Sequence, residues 1–137
     1  MITTHIVINK NDEQQDTDNT KYVDINDIDS IVDNTCSMLT IKNVVRFIPE
    51  SDAKTLLNKC ISKLRKDGTL IINDIDIMEV ARSVYLSMMN MTEFNKMISN
   101  AVFLHSLYDI IIILGSVTKV VSKNIDDYYY NIEVKKP

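Results

Sequence analysis

The sequence predicts an α/β domain built on a mostly parallel sheet, with helices on its faces and an antiparallel hairpin at its C-terminal end. In the middle of the chain, β-branched segments alternate with amphipathic ones, which is typical of parallel strands joined by crossover helices. Near the C-terminus, apolar and polar residues alternate one by one, as in a half-exposed antiparallel strand. The 137 residues suffice for one core, so we expect a single domain over residues 1–137.

The first third of the chain predicts three strands. Thr3 to Asn9 and Lys21 to Ile25 are rich in β-branched residues, and each predicts a short strand. Lys10 to Thr20 contains no apolar residue and predicts an exposed loop. Asp27 to Asn34 is acidic and resembles a second loop. Cys36 to Val45 is largely apolar, which favours a strand buried on both faces.

A helix is predicted to begin at a cap on Ser51, because the apolar residues that follow from Ala53 to Leu64 share one helical face. Basic residues between Lys63 and Lys66 suit the negative end of this helix, and Gly68 just beyond suits a helix stop. Thr69 to Asn73 then predicts a central strand.

The second half of the chain predicts further helices and a hairpin. Asp76 and Glu79 have the spacing of an N-terminal helix cap, and Thr92 marks a restart of that helix. The methionine-rich segment from Met88 to Met97 suits either an adaptable core or a permissive binding surface. Leu107 to Leu114 is apolar and short, so helix and strand both remain open. Two closing strands are predicted, with a turn at Asp126-Asp127: Val117 to Lys123 and Tyr128 to Lys135.

Composition excludes several classes of protein. The net charge is −4 and no basic run occurs, so we expect no nucleic-acid partner. The longest apolar run is far too short to span a bilayer, and we expect a cytoplasmic protein without membrane contact. Cys36 and Cys60 are too few for a disulfide framework and are predicted to be buried. The abundance of Ile, Asn, Asp and Lys over Gly, Pro and Ala favours AT-rich codons, which hints at a virus or phage.

Four stretches occur in an order that resembles the class I S-adenosylmethionine-dependent methyltransferases, and the likeness runs across nearly the whole chain. They are Asn43 to Pro49, Leu64 to Asp74, His105 to Asp109 and Tyr128 to Lys136. The second is similar to the Leu-Lys-Pro-Gly-Gly-Lys-Leu-type turn that precedes the family's fifth strand. The resemblance implies a reduced Rossmann-like, methyltransferase-type sheet.

The chain departs from this family where the cofactor binds. The family's first strand runs into a Gly-x-Gly turn, because a side chain would block the approach of the backbone to the cofactor. Here Asn9-Lys10-Asn11-Asp12 follows the first strand, and the only glycines are Gly68 and Gly115. The family's Glu and His at the end of the fourth strand are replaced by Arg46 and Phe47.

One cofactor-binding residue is implied by the resemblance. Asp24 falls where the family has an acidic residue at the end of its second strand, gripping the ribose hydroxyls. The residues themselves favour a solvated loop acid at this position, because Asp27 and Asp29 are close by in the sequence. The acids at positions 24, 27, 29, 74 and 76 are interpreted as loop acids and helix caps, and no metal site or catalytic residue is predicted.

Two functions follow. The first is a non-catalytic methyltransferase-fold protein that acts as an interaction or structural component of a viral or phage system. It needs no cofactor and works with a protein partner or as a homo-oligomer. The alternative is an active methyltransferase with a divergent cofactor loop, which binds S-adenosylmethionine through Asp24.

Overall fold

The computed structural model of the chain describes residues 5–9, 20–115 and 118–137. The described strands are β1 (His5–Asn9), β2 (Thr20–Asp24), β3 (Cys36–Lys42), β4 (Leu64–Ile75), β5 (Lys119–Asp126) and β6 (Tyr129–Lys135). The α-helices are α1 (Glu50–Lys63), α2 (Ile77–Tyr85), α3 (Met91–Met97) and α4 (Leu107–Leu114). Two short 3-10 helices span Ile25–Ser30 and Val45–Phe47.

The strands form one sheet in the order β2-β1-β3-β4-β6-β5. β1 is parallel to β2 and to β3, and β3 is parallel to β4. β6 is antiparallel to both of its neighbours, β4 and β5, so it alone runs against the other described strands. The predicted mostly parallel sheet with a C-terminal antiparallel hairpin is therefore confirmed.

One face of the sheet carries the core. Directly opposed pairs on β4 and β6, such as Leu70 with Val134 and Ile72 with Ile132, are fully buried. Helices α1 and α4 cover this face, and their buried residues belong to the same apolar cluster. Cys36 and Cys60 are part of this cluster as free thiols, as predicted, and burial raises the pKa of both.

The opposite face is less well covered. Its central side chains on β3, β4 and β6 are only half-buried, among them Thr40, Ile71 and Glu133. Helices α2 and α3 touch this side only near its edge, through a small cluster of Ile75, Val80 and Met89. The predicted loop from Lys10 onwards lies outside the described residues up to residue 19, as do residues 1–4, 116 and 117.

Helix α1 begins earlier than predicted. The cap position is Pro49, in an extended conformation (φ −58°, ψ 153°), and its carbonyl accepts the first helical hydrogen bond from Ala53 N at 2.9 Å. Ser51 already lies inside the first turn, so its predicted role as the cap is wrong. A proline suits this boundary because its fixed φ is compatible with a helix start.

The same helix also ends earlier than predicted, at Lys63. Leu64 begins β4 and pairs with Cys36 of β3, so of the basic residues that the sequence placed at the helix end only Lys63 belongs to α1. Gly68 is a strand residue and not a helix stop. A Cβ at Gly68 would lie 2.9 Å from the carbonyl oxygen of Cys36, so glycine permits the close approach of β3 and β4.

Other boundaries follow from local backbone geometry. β3 stops at Lys42 because Asn43 adopts a left-handed conformation (φ 57°), whereas the sequence predicted a strand up to Val45. The ambiguous run from Leu107 is a helix, because Ser106 and Asp109 form a reciprocal capping box at its start. The segment predicted as an acidic loop contains the first 3-10 helix, and α3 is capped by Asn90, not restarted at Thr92.

Candidate functional site

The carboxyl edge of the parallel strands contains a topological switch point. From β1 the chain passes to β2 on one side, whereas β3 lies on the other side of β1. In open α/β sheets, ligands bind in the crevice outside the carboxyl ends of strands at such a point. The candidate site is therefore the edge formed by the ends of these strands and of β4.

Asp24 lies at this edge, as the resemblance implied. It is the last residue of β2 and stands in register with Asn9, the last residue of β1. Its Oδ1 accepts a hydrogen bond from Asn26 N at 2.8 Å and so caps the 3-10 helix over Ile25–Ser30. The side chain is half-buried, and Oδ2 makes no hydrogen bond within the described part of the chain. One oxygen therefore has a structural role, and the other has no hydrogen-bond partner among the described residues.

The centre of the edge is occupied by an ion pair. Arg46, in the 3-10 helix after β3, donates from Nη1 to Oδ1 of Asp74 at 2.7 Å. Asp74 is fully buried near the end of β4 and also accepts from the backbone N of Ile75 at 2.7 Å. Arg46 Nη1 further donates to Asn43 Oδ1 at 3.2 Å. The carboxylate of Asp74 is thus neutralised by a neighbouring cation and held by the backbone.

A connecting segment closes over this ion pair. The carbonyl oxygen of Arg46 accepts hydrogen bonds from Val102 N at 2.7 Å and from Phe103 N at 3.0 Å. The guanidinium carbon of Arg46 also lies 4.5 Å from the ring centroid of Phe47. The segment before α4 is therefore anchored on the end of β3 and covers the buried carboxylate.

The carboxylate of Asp76 accepts hydrogen bonds from backbone N–H groups. Its Oδ1 accepts from Glu79 N at 3.0 Å, which confirms the predicted helix cap, and its Oδ2 accepts from Leu107 N at 2.8 Å. Its own backbone N donates to the carbonyl oxygen of Tyr128. The carboxylate thereby joins the starts of α2 and α4, and the backbone N–H connects the same residue to the segment before β6.

His105 and Tyr130 form a buried polar pair beside these acids. His105 Nδ1 lies 2.9 Å from the carbonyl oxygen of Phe103, which can only accept, so Nδ1 carries a proton. Nε2 of His105 and Oη of Tyr130 lie 2.7 Å apart and share a hydrogen bond. Burial, followed by the nearby carboxylates of Asp74 and Asp76, raises the pKa of Tyr130 well above its ordinary value. Sequence reasoning missed this pair, although the alternation in β6 places Tyr130 on the buried face.

A polar groove lies on the half-buried face beside this edge. Lys42, Asn73, Asn131 and Asn124 stand opposite one another across β3, β4, β6 and β5. Together with Asn43, Asp126, Asp127 and Tyr129 they line a cavity of about 590 Å³. Asn73 Nδ2 donates to the carbonyl oxygen of Tyr130 at 3.1 Å. The sequence did not suggest this groove, because only strand register brings residues so far apart into one row.

Two classes of site are absent from the described ranges. In residues 5–9, 20–115 and 118–137, no group of three or more His, Cys, Asp or Glu side chains is arranged to hold a metal ion. Over the same residues, no helix has the length and apolarity needed to cross a membrane.

Comparison with known proteins identifies the class of fold. No family model matches the chain, and no curated protein matches it by sequence. Among solved structures, it is similar to magnesium protoporphyrin IX methyltransferase from Synechocystis PCC 6803 with bound SAH, with a TM-score of 0.61 and 13% identity over 87% of this chain. The chain spans about half of that protein (52% of its length).

Two further solved structures of methyltransferases are similar to this chain. The N-methyltransferase NodS from Bradyrhizobium japonicum, in complex with S-adenosyl-L-homocysteine, matches 88% of this chain and 56% of its own, with a TM-score of 0.57 and 10% identity. The third structure is a complex between the Haloferax volcanii Trm112 methyltransferase activator and a putative methyltransferase. The similarity covers 96% of this chain and 71% of the matched chain of the complex, with a TM-score of 0.64 and 11% identity. At such identities the likeness shows the fold alone: the chain has a class I methyltransferase-like fold.

Proposed function

We propose that this chain is a methyltransferase-fold protein that acts as an interaction or structural component and does not transfer methyl groups. The observation that carries this proposal is the ion pair between Arg46 and Asp74. It occupies the carboxyl end of the central strands, where this class of fold places its ligands. Asp74 is fully buried there and bound on both oxygens.

The other acid–base side chains at this edge support the same conclusion. Asp76 is almost fully buried and holds two helix N-termini. His105 and Tyr130 are buried and hydrogen-bonded to each other. Each of these groups already has a structural partner, so none of them is presented to a crevice as a general acid or base.

The sequence adds a second argument. Gly68 and Gly115 are its only glycines, so the segment after β1 contains no residue that lets a backbone approach a cofactor without a Cβ. Residues 10–12, where the family's glycine turn would fall, lie outside the described residues. The viral or phage source of this component stays a prediction.

An active methyltransferase is the second candidate, and Asp24 favours it. Its carboxylate ends β2 at the switch point, and Oδ2 is not engaged by a described residue. Two of the similar structures contain bound SAH, and a third is a complex with a methyltransferase activator. In this reading Asp24 holds the ribose of S-adenosylmethionine.

Isothermal titration calorimetry with SAH tests the proposal. We expect no binding heat with the unaltered chain at SAH concentrations up to about 1 mM, a range that detects even weak complexes. Micromolar binding that Asp24→Ala abolishes would overturn the proposal in favour of the enzyme. The control is Asp27→Ala, because Asp27 is an exposed acid within the 3-10 helix that Asp24 caps. It should leave any binding unchanged.

A further inference from the structure

Helix α2 presents an apolar surface to solvent. Met78, Ala81, Arg82 and Tyr85 follow the spacing i, i+3, i+4, i+7 and so share one face. All four are exposed. The exposed fraction is 67% for Met78 and 87% for Tyr85. A helical face with this spacing normally packs against a core, and here it points outwards.

Further apolar side chains are exposed just beyond the end of the helix. The turn into α3 and the first residue of α3 expose three more apolar side chains: Leu86, Met88 and Met91. We call the five large apolar side chains from Met78 to Met91 the α2 surface. Two of its residues, Met88 and Met91, belong to the methionine-rich segment for which the sequence left core and binding surface open.

The opposite side of α2 packs against the rest of the protein. Val80 and Ser83, on the other side of α2, are buried, and Val84 packs with Phe94 of α3 in the second apolar cluster. Asp76 caps the helix and ties it to α4, so α2 already has an inner side and a fixed orientation. The apolar side chains are therefore held outwards on a supported helix.

The exposed area of the α2 surface can be compared with the area that a specific protein interface buries. Five large apolar side chains with exposed fractions of 48% to 87% present on the order of 500 Å². The largest apolar patch on a typical monomer is of this size and often functional. Burying the same surface on two copies would remove on the order of 1,000 Å² from water, which is about what a specific interface requires.

We propose that the α2 surface binds the same surface of a second copy of this chain, with the two α2 helices packed antiparallel across a two-fold axis. In that arrangement Met78 lies opposite Tyr85 of the second copy, and the small side chain of Ala81 lies at the crossing point. A methionine sulfur beside an aromatic ring is a favourable contact. Two-fold dimers are the commonest soluble oligomers, and their interfaces are self-complementary.

The charges on this surface permit self-association. Arg82 Nη1 and Glu79 Oε1 form an ion pair at 3.1 Å within the same helix, so the surface brings no net charge to the contact. A neutral apolar surface favours a second copy over an anionic membrane, which would require an excess of Lys and Arg. This inference does not depend on whether the chain binds SAH, so either conclusion can fail alone.

Sedimentation velocity over about 1–100 μM protein, a range suited to micromolar association, tests the dimer. We expect the unaltered chain to dimerise and Tyr85→Ser to weaken the dimer at least about tenfold. Ile112→Ser is the matched control, because Ile112 is 76% exposed on α4 and outside the α2 surface, and it should not change association. A monomer throughout the range would overturn the proposal, as would a dimer that Tyr85→Ser leaves intact.

A cysteine cross-link tests the geometry independently. Ala81→Cys should form a disulfide-linked dimer on mild oxidation, because the two residues at position 81 lie close to the two-fold axis. Cys36 and Cys60 are buried and do not compete. Asn58→Cys, on the exposed side of α1, should form no disulfide-linked dimer. Equal cross-linking of both variants, or binding of the unaltered monomer to anionic vesicles without dimer formation, would contradict the proposed partner.

Discussion

Replacing Arg46 with Met should leave a buried charge without its counterion. Asp74 has no exposed surface, and in the Arg46→Met chain its carboxylate keeps only backbone donors, at Ile75 N (2.7 Å) and residue 46 N (3.3 Å). Methionine preserves much of the length and apolar stem of arginine. The change therefore removes the guanidinium and little else.

The burial of the ion pair determines how much Arg46→Met lowers the free energy of unfolding. Removing one partner of a buried ion pair costs about 3–5 kcal/mol. The Arg46 side chain is 14% exposed, and its Nε is buried without a hydrogen-bond partner among the described residues, so the arginine already bears part of a desolvation cost. We expect the low end, a loss of about 3 kcal/mol in the free energy of unfolding. This is a large share of the roughly 5–15 kcal/mol that stabilises a typical domain.

Urea unfolding followed by far-ultraviolet circular dichroism measures this loss. With a slope of about 2 kcal/mol per molar urea, the midpoint should fall by about 1.5 M. The double variant Arg46→Met with Asp74→Asn should regain at least about 1 kcal/mol, because it removes the stranded charge but keeps an oxygen for Ile75 N. A loss below about 1 kcal/mol in the single variant, or strictly additive effects in the double variant, would refute this reasoning.

Two other substitutions test the sheet and the buried tyrosine. Gly68→Ala should cost about 1–3 kcal/mol, because its methyl group would lie 2.8–2.9 Å from two carbonyl oxygens, whereas Asn58→Ala should change urea stability by less than about 0.5 kcal/mol. Equal midpoints would contradict the close approach. The folded-state pKa of Tyr130 is raised, so its contribution to stability is complete below the unfolded pKa of about 10 and is lost as the pH rises further. Tyr130→Phe should therefore flatten the alkaline decline of the unfolding free energy, and an unchanged slope would contradict the assigned burial.

Much of the fold follows from local pattern. The alternation from Tyr129 to Lys135 fixes a half-exposed strand, because side chains in a strand point alternately to its two faces. The cap at Asp76 was also predictable, since its carboxylate acts on a backbone N–H only three residues away. These features depend on neighbours in sequence, and the structure confirms them.

Element ends were harder to predict where two local preferences compete. The run from Leu64 to Gly68 has basic residues and a glycine that suit a helix end, yet it forms the start of β4. Pairing of Leu64 with Cys36 and of Thr69 with Met38 holds both ends of this run against β3, and a register shift lies between the two pairs. The partner strand lies 28 residues away in the sequence, so local pattern could not reveal it.

The sequence by itself determined the fold class and the burial of both cysteines, because apolar periodicity and chain order are local properties. The family resemblance, and not periodicity, implied the place of Asp24 at the end of β2. Only the tertiary structure decided what occupies the edge of the sheet. Arg46 and Asp74 are 28 residues apart, and their pairing requires β3 and β4 to be parallel and in register. The outward direction of Tyr85 was likewise settled by which side of α2 packs on α3, since a periodic stripe does not state whether it meets a core or the solvent.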